Sequence, residues 1–147
     1  MIALGSDHGG YALKQEVKTF LDEQHISYQD FGTNSTDSCD YPDFAKITCQ
    51  AVTNGTCEKA LLFCGTGIGM SIAANKIEGI RAAACSDSYS TKYTRLHNDA
   101  NVLCLGGRVV GAGLACQLVE IFLHTEFEGG ERHKRRIQKI TDIDQRK

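Results

Sequence analysis

The residue in this chain best placed to do chemistry is Cys64, a cysteine that ends an apolar run and abuts a glycine loop. Ala60, Leu61, Leu62 and Phe63 read as a strand buried on both faces, as in a parallel sheet, and that strand stops near Cys64. Gly65, Thr66, Gly67, Ile68 and Gly69 follow, with three glycines in five residues, so the backbone can turn tightly and aim its N–H groups at a ligand. A helix opens from Ile68, which places the loop at a helix N-terminus, where unpaired N–H groups and the helix dipole favour an anion. The same field favours a thiolate and makes Cys64 a candidate base or nucleophile. Its other reading is a small buried core residue. A nicotinamide-binding loop fits poorly, because the spacing is GxGxG and Met70 stands where GxGxxG needs its third glycine.

The elements around this loop set what else can reach it. Residues 1–4 form an apolar start that stops at the polar turn 5–10, and residues 11–24 carry Leu13, Val17, Phe20 and Leu21 at helical spacing. Residues 27–31 read as a weaker strand, and Pro42, the only proline, suits the first turn of a helix through Phe44, Ile47 and Ala51. A fourth strand is expected over 81–85, a helix over 89–96, a polar turn over 97–101, a fifth strand over 102–105 and a helix over 109–125, before a charged helical tail. Strands alternating with helices predict an open, parallel, doubly wound α/β sheet, whose ligands bind beyond the carboxyl ends of the strands. Asp7 and His8, the loop of residues 64–69, Asp87 and Arg108 all follow strands and therefore share that edge. Taken singly, Asp7 is a helix cap or turn residue, His8 a surface histidine, and His97-Asn98-Asp99 a polar turn. Arg132 and Arg136 are four apart in the basic cluster of the tail, on one side of a helix, where two guanidinium groups can clamp a phosphate. By itself the cluster also reads as a solvated helical face or a nucleic-acid patch.

Composition narrows the classes. The 147 residues, 41% of them hydrophobic, fit one domain with a sizeable core. A formal net charge of −2 gives no global basic field for nucleic acid or an anionic membrane. No apolar run approaches the length of a membrane span, and the N-terminus has no secretory pattern. Seven scattered cysteines with no CxxC pair argue against a disulfide framework or a structural zinc site and fit reduced thiols in the cytoplasm. Cys85 and Cys104 sit in apolar runs and read as core.

Six segments together then resemble one family. GSDHGG near the N-terminus, DYPDFA at 40–45, CGTGIGMSIAANK at 64–76, GIRAA at 79–83, HNDANVLCLGGRVVG at 97–111 and FEGGERHKRRI at 127–137 are similar, in order and nearly end to end, to the ribose-5-phosphate isomerase B family. That family also includes allose-6-phosphate isomerases and the two subunits of galactose-6-phosphate isomerase.

The resemblance implies an aldose–ketose isomerase without cofactor or metal, acting on ribose 5-phosphate and ribulose 5-phosphate. It implies a three-layer α/β/α Rossmann-like sandwich with a five-stranded parallel sheet, spanning 1–147 as one domain. It also implies a homodimer, or a dimer of dimers, with active sites at the subunit interface and a helical segment from about residue 130 that reaches the partner. Carried over by position, the base falls on Cys64 and the ring-opening acid/base on His97, with Asn98 beside it. Thr66 passes a proton between two oxygens, and Gly65, Gly67, Ile68 and Gly69 form the anion loop. Asp7, His8 and Tyr41 contact the sugar. Arg132 and Arg136 bind the phosphate, with Arg108 a further candidate. The partner is then a small sugar phosphate, with neither nucleic acid nor membrane involved. Because one chain keeps both Cys64 and His97-Asn98, a self-sufficient homodimer is favoured over a two-chain enzyme. The alternatives are a six-carbon sugar phosphate as substrate, or a phosphosugar-binding protein without chemistry. A dinucleotide-dependent oxidoreductase is the weakest, on the glycine spacing.

Overall fold

The computed structural model describes residues 1–144, so the last three residues of the expected helical tail, 145–147, lie outside the described residues. Elements alternate along the chain as β1 (Ile2–Ser6), α1 (Tyr11–Glu23), β2 (Tyr28–Asp30), α2 (Tyr41–Thr53), β3 (Lys59–Cys64), α3 (Ile68–Ala74), β4 (Ala82–Ala84), α4 (Ser88–Asn98), β5 (Val102–Gly106), α5 (Ala112–His124) and α6 (Glu131–Ile143). The five strands pair in parallel in the order β2-β1-β3-β5-β4. From β1 the chain steps outward to β2 and then returns past β1 to β3, so the direction of winding reverses between β1 and β3. That is where a doubly wound sheet opens a crevice at its carboxyl edge.

Alternation along the central strand builds the two cores. Leu61 and Phe63 join Leu4, Leu103 and Leu105 under α1 and α5, through Leu13, Val17, Leu118 and Phe122. Ala60, Leu62 and Cys64 join Ala3, Val102 and Cys104 under α2 and α3, through Ala45, Cys49, Met70 and Ala74. This is the α/β/α sandwich that the sequence predicts, with β3 buried on both faces.

Two expected boundaries move, for identifiable reasons. The helix expected from residue 109 begins at Ala112, because the backbone before it is committed elsewhere. Gly107 N–H donates to Cys64 O, Arg108 N–H to Gly65 O, and Val109 and Val110 N–H both to Gly106 O. His97 and Asn98, expected in a turn, close the last turn of α4, and the chain leaves the helix at Asp99 with φ 46°. Arg81 and the nearly fully buried Arg95 make that ending possible by donating to the carbonyls of Asn98, Asp99 and Ala100.

The short strand β2 is held from below by charge. Fully buried Lys14 Nζ donates to Asp30 Oδ1 at 2.8 Å and to Thr33 O at 2.6 Å. Burial pushes Lys14 down from its ordinary value, against the pull of Asp30. Burial would also raise Asp30, but hydrogen bonds from Lys14, the Gly32 N–H and Lys18 outweigh it and hold the carboxyl below the usual range.

Candidate active site

At the carboxyl edge, the loops after β1, β3 and β5 meet over the switch point. Cys64 is 5% exposed and belongs to the smaller core, so the plain packing reading describes its side chain correctly. Its sulfur does more than pack, since the Gly67 N–H donates to Sγ at 3.1 Å, a contact that strengthens when the sulfur carries charge. Gly67 can make it because φ is +79°, and a Cβ there would lie 3.0 Å from the Leu105 backbone. Burial drives Cys49 up to about 12 and raises Cys57, Cys85, Cys104 and Cys116, which keeps them protonated.

The neighbours of Cys64 are held by backbone contacts. Asp7 Oδ1 accepts from the Gly10 N–H at 3.0 Å and closes the turn before α1. His8 Nδ1 accepts the Cys39 N–H at 3.2 Å, which leaves its Nε2 as the nitrogen that carries the proton in the neutral ring. Thr66 Oγ1 accepts from the Ile68 N–H at 3.2 Å, so its own hydroxyl proton stays available for donation. Tyr41, at the start of α2, lays its ring against Gly69, where a Cβ would sit 2.8 Å from Cε1. Arg108 crosses Gly65 in the same way, with Nη1 3.1 Å from where a Cβ would be. Asp87, which shares this edge in the sequence reading, caps α4 by accepting from the Ser90 N–H at 2.7 Å.

The remaining predicted residues lie at the other end of the sheet. α4 runs back against the strands, so His97 and Asn98 arrive beside Arg81, which leads into β4, and Asn101, which leads into β5. α6 packs at that same end: the Glu128 N–H donates to Leu96 O at 3.1 Å, and the His133 ring stacks on His97 with centroids 4.2 Å apart. Arg132 and Arg136 are exposed on α6 beside this stack. Ala60 pairs with Val102 and Cys64 with Gly106, so the amino edge lies four residues, about 13 Å, from the thiol along the strand. Within one chain, Cys64 and His97 therefore do not meet.

The sequence matches the Ribose/Galactose Isomerase family over residues 2–140. The chain belongs to that family. It is similar to ribose-5-phosphate isomerase B of Escherichia coli, 47% identical over 146 residues, covering 99% of this chain and 97% of that protein. It is similar in structure to ribose-5-phosphate isomerase B of Clostridium thermocellum, with a TM-score of 0.94 and 51% identity, covering 97% of this chain and 95% of that one. A D-erythrulose-4-phosphate isomerase of Pectobacterium atrosepticum is 41% identical over 130 residues, 88% of this chain and 86% of that protein.

In this member of the ribose/galactose isomerases, the amino-edge cluster holds residues that sequence reasoning did not single out. Glu128 places Oε2 3.8 Å from His97 Nε2 and Oε1 3.4 Å from His133 Nε2. Burial first, then the neighbouring His97, Arg132 and Arg136, push the pKa of His133 down from its ordinary value, against the opposing pull of Glu128. The three donor atoms lie within 4.8 Å of one another, a separation that a cation could bridge. The rings are stacked 4.2 Å apart and only 13° from parallel, however, so their lone pairs do not converge on a nearby point, and a shared ion would require one ring to rotate. The one sequence signal for this cluster is the i, i+4 row Tyr89, Tyr93, His97, which the structure stacks into an aromatic ladder on α4. Among the described residues, no helix is long and apolar enough to cross a membrane.

Proposed function

We propose that the chain is an aldose–ketose isomerase that interconverts ribose 5-phosphate and ribulose 5-phosphate through an enediolate. The observation that carries this reading is the Cys64 sulfur facing the Gly67 N–H at the mouth of the crevice, in a chain so similar to a ribose-5-phosphate isomerase B. As thiolate, Cys64 takes the proton from C2 and returns it to C1. Backbone N–H groups of residues 65–69, other than those of Gly67 and Ile68 that already donate within the loop, receive the developing oxyanion, a contribution of about 3–4 kcal/mol per donor in other enzymes. Thr66 passes a proton between O1 and O2, while Asp7, His8 and Tyr41 hold the sugar hydroxyls. His97 opens the furanose by protonating the ring oxygen and accepting the O1 proton, with Asn98 beside it. Arg132 and Arg136 grip the phosphate, and Arg108 lies close enough to the loop to assist.

Because the two halves of this machinery sit at opposite edges, the working unit we infer is a homodimer in which His97, Asn98, Arg132 and Arg136 of one copy serve Cys64 of the other. Ile68 and Ile72 on α3, 57% and 60% exposed beside the crevice, fit an apolar surface that a second copy covers. The cytoplasm is the compartment that suits seven unpaired cysteines.

The test is to incubate purified protein with ribose 5-phosphate and follow ribulose 5-phosphate. No product overturns the reading in favour of a phosphosugar-binding protein. The similarity to a D-erythrulose-4-phosphate isomerase favours a second reading, a shorter sugar phosphate as preferred substrate. Ranking kcat/KM for four-, five- and six-carbon sugar phosphates, allose 6-phosphate and galactose 6-phosphate included, decides between them.

A further inference from the structure

Glu128 precedes the glycine pair that leads into α6, and its N–H bond to Leu96 O fixes it beside the last turn of α4. From there its carboxylate faces two rings, His97 and His133, at 3.8 Å and 3.4 Å. His97 has two ring neighbours: His133 is stacked on it at 4.2 Å, and Tyr93 stands edge-on at 5.0 Å.

We propose that Glu128 is the positioning residue of the ring-opening acid, setting the orientation of His97 and placing a negative charge opposite its ring while the neutral His133 serves as a wall. This rests on the isomerase reading above. The separation of 3.8 Å is beyond hydrogen-bond reach, so His97 Nε2 is not committed to Glu128 and remains free for the sugar ring oxygen. The carboxylate acts through its field, so the positive charge that the ring gains on accepting the O1 proton develops opposite a negative one. A single carboxylate can balance only one of two stacked imidazolium rings. His133 is the ring that stays neutral: Arg132 Nε donates to its Nε2 at 3.4 Å, and the guanidinium charge there disfavours a second positive group. Its lowered pKa agrees.

The experiment compares wild type, Glu128→Gln and Glu128→Asp on two sugars. Ribose 5-phosphate is a furanose in solution, whereas 4-deoxyribose 5-phosphate lacks the hydroxyl that closes the ring. With general acid–base steps typically worth 10²–10⁴-fold, loss of a partner to the acid should lower kcat of Glu128→Gln on ribose 5-phosphate roughly tenfold or more, with KM within about twofold. On the 4-deoxy sugar the same variant should lose less than about twofold, and Glu128→Asp, which keeps the charge, should recover part of the kcat on ribose 5-phosphate. Equal losses on both sugars in either variant, or a rise in KM alone, overturn the proposal and make Glu128 a structural or clamp residue. Wild type inactive on both sugars overturns the isomerase reading itself, which is a different failure from an active wild type whose variants lose equally.

Discussion

At the carboxyl edge of the sheet the site is built from backbone: the Gly67 N–H reaches Cys64, the Cys39 N–H fixes His8, and Gly107 and Arg108 tie the loop after β5 to the loop after β3. At the amino edge it is built from side chains on two helices, with His97 between Tyr93 and His133, and Arg81 and Arg95 holding the end of α4 in place. The first kind of construction suits a step in which charge develops on oxygen, because fixed amide dipoles need not reorganise. The second suits proton transfer and anion capture, where a titrating ring and mobile guanidinium groups are needed. In the function proposed here, neither edge catalyses alone.

The largest expected effect tests the carboxyl edge. Cys64→Ala should lower kcat at least a hundredfold, the typical worth of a general base, while circular dichroism and the KM of any residual activity change little. Retention of more than about a tenth of wild-type kcat would remove Cys64 from the base role. At the amino edge, His97→Gln should lose activity on the furanose far more than on the 4-deoxy sugar, and matching losses would show that His97 does not open the ring. Arg136→Ala should cost roughly ten- to hundredfold in kcat/KM, mostly through KM, as charge-assisted bonds of about 1.5–3 kcal/mol imply, whereas Lys134→Ala should be nearly silent. Mixing Cys64→Ala chains with Arg136→Ala chains sharpens the comparison directly. Activity should return if one copy's amino edge serves the other's carboxyl edge, and an inactive mixture would mean that each chain must bring its own two edges together.

The smallest effect is on stability. A histidine whose folded pKa lies below its unfolded value stabilises the fold above the ordinary histidine range, and that contribution is lost as pH falls. For His133 the loss begins near the ordinary value of about 6.5 and proceeds downward, because the unfolded chain takes the proton first. The midpoint of thermal unfolding should therefore decline from pH 7.5 to 5.5, and His133→Gln should flatten that decline. An unchanged slope would show that His133 does not contribute to it.

What the amino-acid sequence determined by itself is the alternation of strands and helices, the burial of β3 on both faces, and the glycine loop with Cys64 at its root. These are local properties: helical spacing, an apolar run, and three glycines that free a backbone at fixed offsets. Spacing also put Arg132 and Arg136 on one helix face, since helical geometry alone fixes residues four apart. Only the tertiary structure decided that α4 carries His97 to the amino edge, away from Cys64, because which end a residue reaches depends on the direction of the crossover and on where β4 and β5 lie in the sheet. It also decided that His97 and Asn98 are helical and not in a turn, since the long-range donor Arg81 and the buried Arg95 satisfy the carbonyls there. Glu128 and His133 were illegible for the same reason: their partner is a ring some thirty residues away, and nothing in their own neighbourhood in the chain names it.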